Sequence, residues 1–173
     1  DRRQRQMCIR DSTRTEDIYQ TPFEKARIAN QSGADYFISF HRNSSPEDNQ
    51  YQGVEVLVYD KSGIKYQMAQ NIVGALGELG FREIGVKERP GLVVLRRTRM
   101  PALLIETGFI NSDADNALYD EKKDEIAQAI AGAILGTLSE ETIEAPLYYR
   151  VQTGAFRNRD CLLYTSPSPR DCS

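Results

Sequence analysis

Histidine is almost missing: His41 is the only one in 173 residues. A catalytic zinc ion needs three protein ligands, so a lone imidazole cannot account for such a site by itself. Cysteine is scarce as well. Cys8, Cys161 and Cys172 all lie near the two ends, and residues 13–160 contain none. That stretch is therefore closed to thiol catalysis and to thiolate-ligated zinc, while the redox compartment stays open. No apolar run reaches 18 residues, which excludes a membrane span. The basic N-terminus is not followed by the apolar stretch of a signal peptide. A formal net charge of -3 carries no basic excess of the kind that marks a nucleic-acid binder.

What is present supports one domain with a fragment of a second. At 40% hydrophobic residues, a chain of this length buries about 70% of its unfolded surface. The ends stand apart. Residues 1–12 (DRRQRQMCIRDS) have neither helical nor strand periodicity, and residues 161–173 (CLLYTSPSPRDCS) interrupt a strand-like pattern with Ser and Pro. Both resemble translated adapter sequence and are expected to be a non-native head and tail.

Between them, helical and strand signals alternate. Thr21-Pro22-Phe23-Glu24 is a helix start, with Thr as N-cap, Pro at the first helical position and Glu three residues after the cap. Gly33 suits the left-handed C-terminal cap. Residues 35–41 (DYFISFH) and 53–59 (GVEVLVY) read as strands. Ser62 opens a helix with Ile64, Met68, Ile72, Leu76 and Leu79 near one face, closed by Gly80. The short apolar runs 92–95 (LVVL) and 102–105 (ALLI) read as buried strands, the second ending at Glu106-Thr107-Gly108. A short helix over 114–119 follows, then a longer one from Asp124 with Ile126, Ile130, Ala133, Ile134 and Leu138 inside. This alternation predicts an α/β fold, an open and mostly parallel sheet flanked by helices. Residues 140–148 read as a linker, and 149–156 (YRVQTGAF) as a new strand.

In open α/β sheets, sites form beyond the carboxyl ends of the strands. His41 and Glu106 both hold that position and, on parallel strands, would face one crevice. Such a pair fits several chemistries. A zinc hydrolase would use His41 as ligand and Glu106 as general base. A Ser-His-Glu triad could draw on Ser39, Ser44 or Ser45, although no G-x-S-x-G elbow occurs. A non-catalytic loop binding sugar or peptide is a third reading. Glycoside hydrolysis lacks an evident second strand-end acid.

One resemblance covers residues 13 to about 138. The segments TRTEDIYQTPFEKARIANQSGADYFISFHRNSS, QGVEVLVY, LVVLRRTRMPALLIETGFINSDADN and IAQAIAGAI together resemble the zinc-dependent N-acetylmuramoyl-L-alanine amidases of bacterial cell-wall turnover. The resemblance implies that His41 is a Zn2+ ligand and Glu106 the catalytic acid/base, with Asn43 and Arg96 lining the substrate cleft. It implies peptidoglycan as the partner and action outside the membrane, at the cell wall. The family's opening D-P-G-H-G-G-like turn and the helix after it, which carry two further ligands, have no counterpart here. The catalytic domain over 13–139 is thus expected to lack its first strand and helix. As written, the chain would then be inactive, with the secretion signal in the missing part. Residues 149–160 (YRVQTGAFRNRD) resemble the start of a SPOR peptidoglycan-binding domain.

Overall fold

The computed structural model describes residues 19–140 together with the backbone of 149–151 and 154–156. The head, linker and tail assignments, and most of the SPOR-like segment, lie outside the described residues.

Helix α1 (Pro22–Ser32) begins as its sequence dictates. Thr21 Oγ1 accepts from Glu24 N at 3.2 Å, while Glu24 Oε2 accepts from Thr21 N at 2.7 Å. This closed capping box satisfies two otherwise orphaned donors. Gly33 closes the helix at φ 65°, in the left-handed region. Strand β1 (Phe37–Asn43) follows, then β2 (Val54–Val58), α2 (Gly63–Glu78), β3 (Glu83–Glu88), α3 (Val93–Arg97), β4 (Ala102–Phe109), α4 (Asp113–Glu121) and α5 (Lys123–Glu140). Beyond them, β5 (Tyr149–Val151) and β6 (Gly154–Phe156) pair antiparallel, so the single strand expected over 149–156 is a hairpin of two short ones.

The main sheet has the order β1-β4-β2-β3. β1 runs parallel to β4 and β2 parallel to β3, but β2 lies antiparallel to β4. The sheet is open, mixed and flanked by helices. On one face α2 and α5 bury Met68, Ile72, Leu76, Ile130, Ile134 and Leu138 against Ile38, Val56, Leu103 and Ile105. On the other, α1 and α3 bring Ala29, Val94 and Leu95 onto Phe37, Leu57, Ala102 and Leu104. The alternation within each strand, even residues to one layer and odd to the other in β1, is the period of two that strand geometry imposes.

Three expectations are corrected. Residues 92–95 do not form a strand: α3 covers Val93–Arg97, with Arg96 N bonded to Leu92 O at 2.9 Å. A short apolar run has too few residues to show its period, and here packing onto the sheet face selects the helical one. β3, at the sheet edge, has no counterpart in the sequence reading. Its residues EIGVKE are half-exposed or exposed, and charged side chains on an edge strand discourage further pairing. Finally, His41 and Glu106 do not end their strands. β1 continues past a register shift between His41 and Asn43, and β4 runs on to Phe109, its partner.

Gly53, which leads into β2, has φ +113°, and a Cβ there would collide with the carbonyl oxygen of Arg82. Val54 N donates to that same oxygen at 2.8 Å, so the close approach is part of the β2–β3 pairing. Gly53→Ala is expected to cost about 2–4 kcal/mol, read as a fall in thermal midpoint. Gly91→Ala, at a site with open space, should stay within about 0.5 kcal/mol.

Candidate active site

Strand register assembles the site. His41 on β1 pairs with Glu106 on β4, and Glu106 pairs with Glu55 on β2. Registered partners project to the same face of a sheet, so the three form one row across three strands. This face is the one covered by α1 and α3, whose contacts at Phe37, Leu57, Ala102 and Leu104 stop two residues short of the row. The row therefore borders solvent, and His41 is exposed while Glu106 is half-buried.

Each member has a defined environment. Ser39, one pleat before His41, is 1% exposed and places Oγ 2.7 Å from His41 Nε2. That contact fixes the ring and leaves Nδ1 as its free nitrogen. Although the residue as a whole is exposed, desolvation of its ring against the sheet, and secondarily the charge of Lys25, lower the His41 pKa, favouring the neutral imidazole that can ligate a metal. Glu106 is pushed up to about 7, first by burial and then by the neighbouring Glu55 charge. Its Oε2 is buried without a hydrogen-bond partner. Glu55, only 6% exposed, is held from both sides. Lys87 Nζ lies 2.5 Å from its Oε2, and Asn43 Nδ2 donates to its Oε1 at 2.9 Å. Its charge beside Glu106 raises the cost of ionising that second carboxyl group.

The frame behind the row is built from backbone-directed side chains. Asp115, 2% exposed, accepts from Phe109 N at 2.7 Å and from Gly53 N at 2.9 Å. It thereby ties the end of β4 to the start of β2. Arg42 donates to Phe109 O at 3.0 Å and to Asn116 Oδ1 at 2.7 Å, and its guanidinium lies 4.4 Å from the Tyr119 ring centroid. Asn111 accepts from Ser45 N at 3.0 Å and donates to Ser45 O at 2.9 Å, latching the loop after β1.

The sequence candidates therefore separate. His41, Glu106 and Asn43 come together. Arg96 does not join them: it lines a cavity of about 470 Å³ with Tyr59, Asp60 and Lys65. Of the serines, Ser39 and Ser45 are buried, and Ser45 is occupied by Glu47 O and Asn111; only Ser44 is exposed. A buried Ser39 hydroxyl has no path to a substrate, which argues against a serine nucleophile. Glu55, Lys87 and Asp115 escaped the sequence reading. A lone acid inside the otherwise apolar run VEVLV was the available signal for Glu55, because a buried charge demands a partner. As to a metal, the neutral imidazole of His41 and the orphaned Oε2 of Glu106 suit one, but no group of three His, Cys, Asp or Glu side chains that could hold it occurs among the described residues. The fit thus extends to one ligand and one nearby base.

Known proteins resemble this chain in sequence and in fold. A family profile described as N-acetylmuramoyl-L-alanine amidase matches residues 6–136. The chain is 30% identical over 149 residues to the sporulation-specific N-acetylmuramoyl-L-alanine amidase of Bacillus subtilis (strain 168), covering 84% of this chain and 56% of that protein. It is 32% identical to the N-acetylmuramoyl-L-alanine amidase CwlM of Bacillus licheniformis, covering 85% of this chain and 57% of the relative. The chain thus spans a little over half the length of these curated relatives. Among solved structures, the N-acetylmuramoyl-L-alanine amidase of Clostridium difficile 630 superposes with a TM-score of 0.67 at 31% identity, covering 75% of this chain and 71% of that one. AmiC2 of Nostoc punctiforme gives 0.65 at 30% identity, covering 73% and 71%. With its profile match, its relatives and its fold in agreement, the chain belongs to the N-acetylmuramoyl-L-alanine amidase family.

Proposed function

We propose that the protein is a peptidoglycan hydrolase, cleaving the amide bond between N-acetylmuramic acid and the L-alanine of the stem peptide with a zinc-activated water. The observation that carries this reading is the registered His41–Glu106 pair on an open sheet face, with Glu106 raised to about 7. His41 would supply one zinc ligand through Nδ1, with Ser39 Oγ accepting from Nε2–H and holding the tautomer. The remaining ligands would come from outside the described residues. When bound, the ion lowers the pKa of a water and polarises the scissile carbonyl. Glu106 takes the attacking water's proton and delivers it to the departing L-alanine nitrogen. A carboxyl group that titrates near 7 is matched to both halves of that transfer.

Asn43 stands beside Glu106 through its bond to Glu55 and would face substrate. Arg96 would act at a distance from the reacting bond, toward the far end of a polymeric substrate. The same reading places the enzyme outside the membrane, at the cell wall, and assigns residues 149–160 to the beginning of a SPOR-like wall-binding domain. No helix among the described residues is long and apolar enough to cross a membrane.

The test uses purified cell walls and the protein expressed with its flanking coding sequence and supplied with zinc. Amidase action exposes new N-terminal alanine amines without new reducing sugar ends, and a chelator abolishes it. Reducing ends would indicate a glycosidase. Chelator-insensitive release blocked by a serine-directed reagent would indicate a serine hydrolase. Retention on walls without release would leave a binding module. On the zinc reading, Ser39→Ala is expected to weaken zinc binding by about 10–100-fold, measured by competition with a chromophoric chelator.

A further inference from the structure

Helices α1 and α3 lie side by side, and Asn30 stitches them together. Its Nδ2 donates to Arg97 O at 2.8 Å, and its Oδ1 accepts from Arg99 N at 2.8 Å. Between them is an open cavity of about 610 Å³ lined by Arg27, Arg97 and Arg99 with Phe23 and Gln31, and among the described residues no carboxylate lines it. Through Arg99 this groove adjoins the cavity of about 470 Å³ that contains Arg96 and Lys65. Among the described residues Asp60 is the one carboxylate lining that second cavity, and it is already bonded to Lys65 Nζ at 2.8 Å and to Ser62 Oγ.

Among the described residues no carboxylate pairs with Arg27, Arg96, Arg97 or Arg99, all of which are exposed. Arg27 has one side-chain contact, to Gln31 at 3.3 Å. The neighbouring Glu24 feels the Arg27 charge, but its carboxylate is hydrogen-bonded by the Thr21 backbone and hydroxyl. Four arginines thus line two adjoining cavities, Arg99 lining both, in a chain whose formal net charge is -3. Scattered arginines are ordinary solvated groups, but a clustered set repels itself and concentrates anions. The planar guanidinium fork matches phosphate oxygens two at a time, which an ammonium cannot do.

We propose that the groove between α1 and α3 is an anion track that binds a linear phosphodiester polymer, each of Arg27, Arg97 and Arg99 receiving one phosphate. Three features favour a polymer. The cations come from two elements, Arg99 is shared by two adjoining cavities, and the second cavity adds Arg96. A flat lipid surface cannot enter the concavity to reach them. This track is independent of the amide-cleaving chemistry, so either can fail without the other.

The experiment measures binding of the 173-residue chain to a linear poly(glycerol phosphate) by fluorescence anisotropy over a range of salt concentrations. Arg97→Gln with Arg99→Gln is compared with Arg82→Gln with Lys123→Gln, which removes the same charge elsewhere. The groove pair should lower the slope of log K against log[salt] by about 1.5–2 and weaken binding at low salt at least about tenfold. The control pair should do neither. Should the groove double variant fail to fold, as read by far-UV circular dichroism, Arg99→Gln alone is read the same way with half the slope change. Equal losses in both pairs, or no binding by the unaltered chain, overturn the proposal. So does equal affinity for polyglutamate, which would assign a carboxylate polymer, or for anionic vesicles, which would assign a lipid surface.

Discussion

Glu106→Gln is expected to slow amide cleavage by about 10²–10⁴-fold and, at the same time, to stabilise the folded chain above neutral pH. The two effects share one cause. Burial and the adjacent Glu55 raise the Glu106 pKa from 4.5 to about 7, so the folded state holds the proton more tightly than the unfolded chain. Between about pH 4.5 and 7 the native state binds more protons, and unfolding free energy falls as pH rises through that window. Below it, both states carry a neutral acid and the cost vanishes. Above it, the full penalty of an ionised, half-buried carboxylate is present, about 1–3 kcal/mol after allowance for its partial exposure. Glutamine removes the charge and keeps the shape. Urea unfolding should therefore show the variant more stable at pH 8 and indistinguishable at pH 4. A variant that loses stability at pH 8 would mean that the Glu106 charge is compensated in the native chain, and activity that survives would remove Glu106 from proton transfer.

Asp115→Ala is expected to be the most damaging single change away from the row, costing about 3–5 kcal/mol and lowering the thermal midpoint by roughly 10 °C or more. Its carboxylate is buried and accepts backbone N–H groups from Phe109 and Gly53. Alanine strands both donors in a place that water does not replace cheaply. Both tethered strands carry site residues, Glu106 three positions before Phe109 and Glu55 two after Gly53, so cleavage should fall as well although Asp115 does not touch the row. Asp115→Asn, which keeps one acceptor, should recover part of the stability. Asp113→Ala is the control: this exposed neighbour bonds Asn49 Nδ2 at 2.9 Å, and its loss should cost no more than about 1 kcal/mol. Thermal denaturation of the three variants side by side makes the comparison.

Local physics was readable wherever it was decisive. Thr21, Pro22 and Glu24 specify the start of α1 through contacts within four residues, and the capping box forms as their order requires. The 16-residue α2 shows its period over enough turns to be unambiguous, with Met68, Ile72 and Leu76 all buried. Where several periods fit, the reading failed. Val93 and its neighbours are equally apolar as strand or helix, and only the sheet face beneath α3 decides between them. β3 was invisible because an edge strand need not look buried.

The pairing of His41 with Glu106 shows the division most clearly. Their residue types and family motifs lie in the sequence, and a parallel β1–β4 pair was expected to bring them together, as the register does. The sequence did not place the third member of the row. Glu55 reaches Glu106 only because β2 inserts antiparallel beside β4, a pairing set by burial on both faces and not by any local signal. Likewise Asp115 becomes an anchor only once the strand ends it joins are neighbours. By itself the sequence determined the start of α1, the course of the long helices α2 and α5 and most of the alternation of elements, because these depend on interactions within a few residues. The tertiary structure alone decided which charges become neighbours and how far Glu106 is desolvated, because both depend on distances between residues far apart along the chain.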